Sequence, residues 1–315
     1  VGEHRLAILH VSDLHVRADE GAGGWRRRRV LGEAWDRNLD AFLEDGPIDL
    51  VCFTGDLAQA GKPEEYALLT PFVEALLARV GVPADRLFVV PGNHDIDRSV
   101  AEPAWKALRG LGWDEAAALS RWMAGGRPPL RVAPSWPDEV LARQAAYRAW
   151  VRDALKRPDL LPGAPRHPRL GYRVTLALGG LPLPVHVIGL DTAWLAGDDG
   201  DAGKLRLTED QVGMLADGLD GLRIALVHHP LTDLADGASC RRLLADRVDL
   251  LLRGHLHEPE LSLWKDPDRE LRELAAGCLY EHDEYPNACQ RIDLTLDDRG
   301  RVLGLDVRFR VLRQV

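Results

Sequence analysis

Three things are scarce in this chain of 315 residues. Cysteine occurs four times, at Cys52, Cys240, Cys278 and Cys289, with no CxxC pair and no framework spacing, which excludes a disulfide scaffold and a zinc ribbon and favours a reducing, cytoplasmic setting. Long apolar runs are missing: no stretch approaches the roughly 18 residues of a membrane span, and Glu3, His4 and Arg5 precede the first short apolar segment, so no signal peptide is read. Excess positive charge is missing too. A formal net charge of −9 argues against a protein that coats nucleic acid through general electrostatics. The first residue is not Met, so a longer parent chain carrying a further domain or partner is compatible with the sequence.

With 46% hydrophobic residues, the chain can bury a large core. Short strand-like runs alternate with helical patterns: Leu6 to Ser12, Asp49 to Gly55, Arg86 to Gly92, Val185 to Asp191, Arg223 to His229 and Val248 to His255. This rhythm is that of an α/β fold with crossover helices, expected at Ala34 to Leu43 and Glu64 to Val80. Arg98 to Arg169, rich in Trp, Ala, Arg and Pro, interrupts it and reads as a mostly helical insertion in one domain of 1–315. Helices are expected near Glu115 to Ala124 and Glu139 to Lys156, either as a cap over a site or as a packing appendage. After Arg253 to Pro259, four alternating strands (Glu260 to Trp264, Arg272 to Ala276, Gln290 to Leu296, Val302 to Val311) read as a largely antiparallel sheet.

Five of the apolar runs end in the same kind of residue. Asp13 and His15 follow the first, Asp56 the second, Asn93, His94 and Asp95 the third, His228 the fifth, and His255 and His257 the sixth. In an open α/β sheet, groups at the carboxyl ends of strands converge. Carboxylate, imidazole and amide oxygen together suit divalent Mn, Fe or Zn, and Gly55, Gly92 and Gly254 permit the sharp loops that bring such ligands inward. The ligands are too many for one ion and enough for two sharing a carboxylate, at the roughly 3.5–4 Å separation of hydrolytic two-metal sites.

In this order the DxH, GD, GNHD, H and GHxH motifs resemble the calcineurin-like metallophosphoesterase family, with the matching residues running from Asp13 to His257. The resemblance implies a four-layer α/β/β/α sandwich and a phosphate-ester substrate. It also implies two divalent ions, Mn foremost and Fe, Zn or a mixed pair as alternatives. Asp13, His15 and His257 would hold the first, Asn93, His228 and His255 the second, and Asp56 would bridge. His229 is the fallback for His228. His94 would face the substrate, and Asp95 would orient His94 through a carboxylate–imidazole bond.

The activity implied is hydrolysis of phosphodiester bonds by metal-bound hydroxide, with a small phosphodiester or cyclic nucleotide favoured. A DNA or RNA nuclease is the alternative, supported by Arg26 to Arg29; those arginines read equally well as a solvated first helical turn. A phosphomonoesterase and a non-catalytic scaffold of the same fold stand further off, the scaffold because no expected site residue is missing. A loop carrying Tyr280, His282 and Asn287 is a further candidate for facing substrate.

Overall fold

The computed structural model describes residues 2–19, 27, 30–111, 116–129, 132–163, 165–198, 200–280 and 287–312. Its strands are β1 His4–Val11, β2 Leu50–Phe53, β3 Leu87–Val89, β4 Tyr172–Leu176, β5 Val185–Gly189, β6 Leu222–Leu226, β7 Leu250–Arg253, β8 Pro259–Lys265, β9 Glu270–Ala276, β10 Asn287–Leu296 and β11 Val302–Leu312. They form two sheets, ordered β11-β10-β1-β2-β3 and β4-β5-β6-β7-β9-β8. The strands β1, β2 and β3 are parallel in the first sheet, as are β5, β6, β7 and β9 in the second.

Side-chain alternation along the second sheet accounts for the layering. Val187, Ile224, Leu226, Leu250 and Leu252 belong to one buried cluster, shared with Leu9, Val51 and Phe53 of the first sheet. Their neighbours Ile188, Ala225, Val227 and Leu251 belong to another, shared with the helical residues Val212, Leu215 and Leu244. A strand with period two buried on both faces must have a layer on each side. Leu39, Phe42, Val73 and Leu76 of the helices beside the first sheet lie in the first cluster. The expected order of helix, sheet, sheet, helix follows.

The helix Pro63–Val80 shows how local sequence sets these elements. Pro63 occupies the first turn, and the Glu65 carboxylate accepts the N–H groups of Ala60 and Lys62, both at 3.0 Å. Tyr66, Leu69, Val73, Leu76 and Val80, spaced three or four apart, form the buried stripe. Gly81 ends the helix with φ of 70° and its N–H on Leu77 O. No helix among the described residues is long and apolar enough to cross a membrane.

Three expectations need correction. The tail is not one antiparallel sheet: β8 and β9 form a hairpin on the second sheet, with β9 parallel to β7, whereas β10 and β11 form a hairpin on the first, with β10 antiparallel to β1. β4 was not expected; it is an edge strand in which Arg173 and Thr175 dilute the apolar signal. Within 98–169, the expected helix Glu139 to Lys156 is broken into Trp136–Leu141, Ala145–Ala149 and a wider turn at Trp150–Ala154, ending where Lys156 takes φ of 57°. The helix expected at Glu115 to Ala124 is seen as Ala116–Met123, with 115 outside the described residues, and a further helix Glu102–Gly110 packs Trp105 so that its Nε1 donates to Leu195 O at 2.7 Å.

Candidate metal centre

Five of the eight non-glycine residues with positive φ among the described residues are Asp13, His15, Asp56, His255 and His257. Such backbone costs on the order of 1–3 kcal/mol per residue and persists where the surroundings over-determine it. For Asp13, His15 and Asp56 the surroundings are a short parallel bridge between two loops. Asp13 N donates to Gly55 O, Leu14 N and His15 N to Asp56 O, and Val16 N to Leu57 O, at 2.9 to 3.0 Å. The loops after β1 and β2 are thereby locked side by side.

The side chains converge in two groups, Asp13, His15, Asp56 and His257 in one, and His228, His229 and His255 in the other, with ligand-type atoms within 4.8 Å of one another in each. In the first, His257 Nε2 lies 3.2 Å from Asp13 Oδ1 and 3.3 Å from His15 Nε2. In the second, Asn93 Oδ1 lies 3.0 Å from His228 Nε2 and 3.1 Å from His255 Nδ1. Asp56 reaches both: its Oδ2 is 3.9 Å from His15 Nε2 and 3.2 Å from His228 Nε2. All seven residues read from the sequence as ligands therefore meet.

The donor set fits divalent cations on independent grounds. Asp13 Oδ1 is buried with no hydrogen-bond donor aimed at it, although imidazole nitrogens stand close by. His228 Nδ1 donates to Thr54 O at 2.7 Å, which turns the Nε2 lone pair inward as an outer partner does for a metal-binding imidazole. Thr54 was not singled out in the sequence, although it directly precedes Gly55 and Asp56. Neither was Asp233, whose Oδ2 stands 3.7 Å from His255 Nε2 and leaves His255 Nδ1 for the centre. His229 is directed differently: its Nδ1 lies 2.9 Å from Thr192 Oγ1, and Nε2 is buried without a partner.

The glycines are set by crowding. A Cβ on Gly92 would stand 2.2 Å from Asp56 Oδ1, and one on Gly254 2.0 Å from Ser12 Oγ and 2.6 Å from Asp13 Oδ2. Gly92→Ala is expected to displace the Asp56 carboxylate, weakening Mn binding in calorimetric titration and lowering stability to urea by about 1–3 kcal/mol, the usual cost of overpacking.

Electrostatics in the metal-free centre favour a proton stored on His228. Burial lowers the pKa of His228, but the nearby Asp56 carboxylate and its hydrogen bond outweigh burial and raise it to about 9. Burial raises the pKa of Asp56, and the imidazoles of His228, His94 and His15 overcome this and hold it well below the usual range. Burial, reinforced by His228, lowers His255 to about 4. Because the folded His228 value exceeds 6.5, its contribution to metal-free stability is full below about pH 6.5 and lost as pH rises through about 9. A cation must displace that proton, so Mn affinity is expected to rise over the same window, with proton uptake by the buffer detectable in titrations run in buffers of different ionisation enthalpy.

Asp95 does not have the role expected for it. Its Oδ2 accepts Gly92 N at 2.8 Å and Leu57 N at 3.2 Å, and its Oδ1 accepts Ala58 N at 3.0 Å and Tyr66 OH at 2.8 Å. These four donors hold the carboxylate inside the loop, away from the His94 ring. The His94 Nδ1 donates instead to Gln59 O at 2.9 Å, while its N–H donates to Asp56 Oδ1 at 2.8 Å and its ring stands edge-on to His15 at 4.8 Å.

Of the arginine cluster, Arg26, Arg28 and Arg29 lie outside the described residues, as does His282. Arg27 donates to Leu14 O at 3.1 Å and His15 O at 3.2 Å and stacks on Tyr280, so it braces the ligand loop. Asn287 Nδ2 donates to Leu279 O at 3.1 Å.

Two packed sheets carry at their strand ends paired Asp/His groups that could hold metal ions, and the match to the family model described as calcineurin-like phosphoesterase, over residues 6–259, shows that the chain belongs to that family. The chain is 36% identical over 117 residues to the cAMP/cGMP dual specificity phosphodiesterase MT0825 of Mycobacterium tuberculosis. That match spans 36% of this chain and 32% of the other, about a third of the relative's length. Among solved structures it is similar to the calcineurin-like phosphoesterase YfkN of Bacillus subtilis, at 15% identity and TM-score 0.49, covering 98% of this chain and 91% of that one. It is also similar to a 5'-nucleotidase precursor from Thermus thermophilus, at 14% identity and TM-score 0.48, covering 98% and 54%.

Proposed function

We propose that the chain is a dinuclear-metal phosphodiesterase acting on a small phosphodiester, with cyclic nucleotides the favoured class. The position of Asp56 carries this reading: one buried carboxylate reaches the histidines of both ligand groups. Asp13, His15 and His257 would hold one ion, Asn93, His228 and His255 the other, and Asp56 both; Mn is the favoured metal for this mixture of oxygen and imidazole donors. Such a pair, when bound, supplies a nucleophile at neutral pH and charge neutralisation at phosphorus.

The chain's own groups do the rest. With Nδ1–H on Gln59 O, His94 presents Nε2 for the substrate, where it stabilises a phosphoryl oxygen or donates a proton to the departing oxygen. Neither ligand group includes His94. Asp95, by binding the amides of Leu57 and Ala58, fixes the loop that carries both Asp56 and Gln59. The phosphodiesterase activity in the name of the mycobacterial relative supports the same choice.

A Mn-supplemented panel of bis-p-nitrophenyl phosphate, p-nitrophenyl phosphate, cyclic nucleotides and single- and double-stranded nucleic acids tests it. Cleavage of the diester and of cyclic nucleotides is expected. Cleavage of the monoester alone, or of polynucleotides alone, would overturn the assignment.

A further inference from the structure

The longest strand among the described residues, β11, lies at the edge of the first sheet, so one row of its main-chain N–H and C=O groups has no described strand beside it. An edge of this length is a template for another chain, and proteins usually blunt such edges with proline, lysine or brevity. β11 contains neither Pro nor Lys.

The same end of the molecule is apolar. β9 packs against β10 and β5 against β3, so β8 and β11 edge the same end of the two packed sheets. Leu261 of β8 stands directly opposite Leu274 of β9, which belongs to the cluster between the sheets, so Leu261 and Leu263 are turned toward the first sheet. Each is nevertheless 55% exposed. With Leu303, Phe309 and Val311 of β11 they make up five of the eight exposed large apolar side chains among the described residues. Such a concentration marks a surface that another molecule covers.

The sequence of β11 identifies the occupant. From Gly304 to Arg310 it reads GLDVRFR, and when a second copy is laid antiparallel with Val307 opposite Val307, Leu305 falls opposite Phe309 and Asp306 opposite Arg308, each pair twice. Moving the axis one residue either way sets Asp306 on Asp306 or Arg308 on Arg308. Inside the chain the charges are matched the other way, with Asp306 opposite Asp293 of β10 and Arg308 opposite Arg291. Arg291 and Asp293 are buried and bind each other at 2.9 Å, whereas the Asp306 carboxylate is 62% exposed beside Arg308 of its own strand, at 3.1 Å. A second copy brings another Arg308 to the facing position, so that four charges alternate around a square. Unlike charges directly opposite stabilise a ladder and like charges destabilise it.

We propose that β11 is the pairing edge of a symmetric dimer, with Val307 on the two-fold axis and Asp306 against Arg308 of the second copy, joining two five-stranded sheets into one. None of these residues belongs to the metal centre, so the inference stands apart from the phosphodiesterase reading.

Sedimentation equilibrium of the full chain is expected to give the mass of two chains. Asp306→Arg turns both charge pairs into repulsive ones and should raise the dissociation constant at least about ten-fold. Arg308→Asp should do the same, although Arg308 also pairs with Asp45 of its own chain. An equimolar mixture of the two variants restores unlike charges at both positions and should dimerise as wild type does. A misfolded variant could not recover on mixing, so the mixture separates loss of the interface from loss of the fold.

The register is tested by oxidation, because the four native cysteines are buried. Val307→Cys should form a disulfide-linked dimer by itself, since opposed Cα atoms in an antiparallel pair are about 4.5–5.5 Å apart, within the span of a disulfide. Leu305→Cys and Phe309→Cys should each stay unlinked alone and link when mixed. A monomeric wild-type chain, a dimer indifferent to Asp306→Arg, or linkage of Leu305→Cys to itself would overturn the proposal.

Discussion

Asp56→Asn is expected to lower turnover at saturating Mn by at least about 10³-fold, the upper end of what loss of one preorganised electrostatic partner costs. The side chain is buried and its two oxygens have separate tasks, Oδ1 accepting from His94 N and Oδ2 facing His228 and His15. The amide keeps the shape and removes the charge. Either orientation fails: an NH₂ toward His94 N sets donor against donor, and one toward His228 removes the oxygen needed between the ligand groups. The same variant should hold the His228 proton less tightly, because the Asp56 carboxylate is the largest of the groups that raise that imidazole, ahead of Asp13 and the Thr54 carbonyl. Steady-state kinetics over a Mn series checks the first expectation; activity within ten-fold of wild type would remove Asp56 from the shared position.

His94→Ala is expected to reduce kcat on cyclic AMP by about 10²- to 10⁴-fold, the range for a positioned general acid or base. The side chain faces Gln59 and His15, and the contact to Asp56 is made by its main-chain N–H, which alanine retains. The loss should be smaller on bis-p-nitrophenyl phosphate, whose leaving group departs without a proton. Equal loss on the two substrates would leave His94 with charge stabilisation at phosphorus in place of proton transfer. An unchanged kcat on both would remove it from the chemistry.

The sequence made the candidate ligands legible because strand ends in an α/β fold are punctuated by small and polar residues, and Asp13, His15, Asp56, Asn93, His228, His255 and His257 all stand at such breaks. Their convergence is visible only in three dimensions, but the topology that causes it follows from the βα rhythm. What the sequence concealed was which hydrogen bonds the neighbours make. Asp95 beside His94 invited a carboxylate–imidazole pair; the tight turn at Asn93–Asp95 instead turns the carboxylate back onto Gly92 N and the next loop. Gln59, three residues past Asp56, belongs to none of the sequence motifs. Its importance comes from the bridge between Val16 and Ala58, a pairing between loops that no periodicity announces. The tail was misread for a related reason: alternation identifies β8 to β11 as strands, and nothing in a period of two says which sheet each hairpin joins.

The central claim is a centre for two ions in which Asp56 is shared and His94 stands outside the ligand set. Metal counting tests it most directly: wild type and His94→Ala are loaded with Mn, freed of excess by gel filtration, and measured for Mn per chain by mass spectrometry. Two ions per chain are expected in both proteins. One ion in wild type, or an ion lost on removing the His94 side chain, would contradict it.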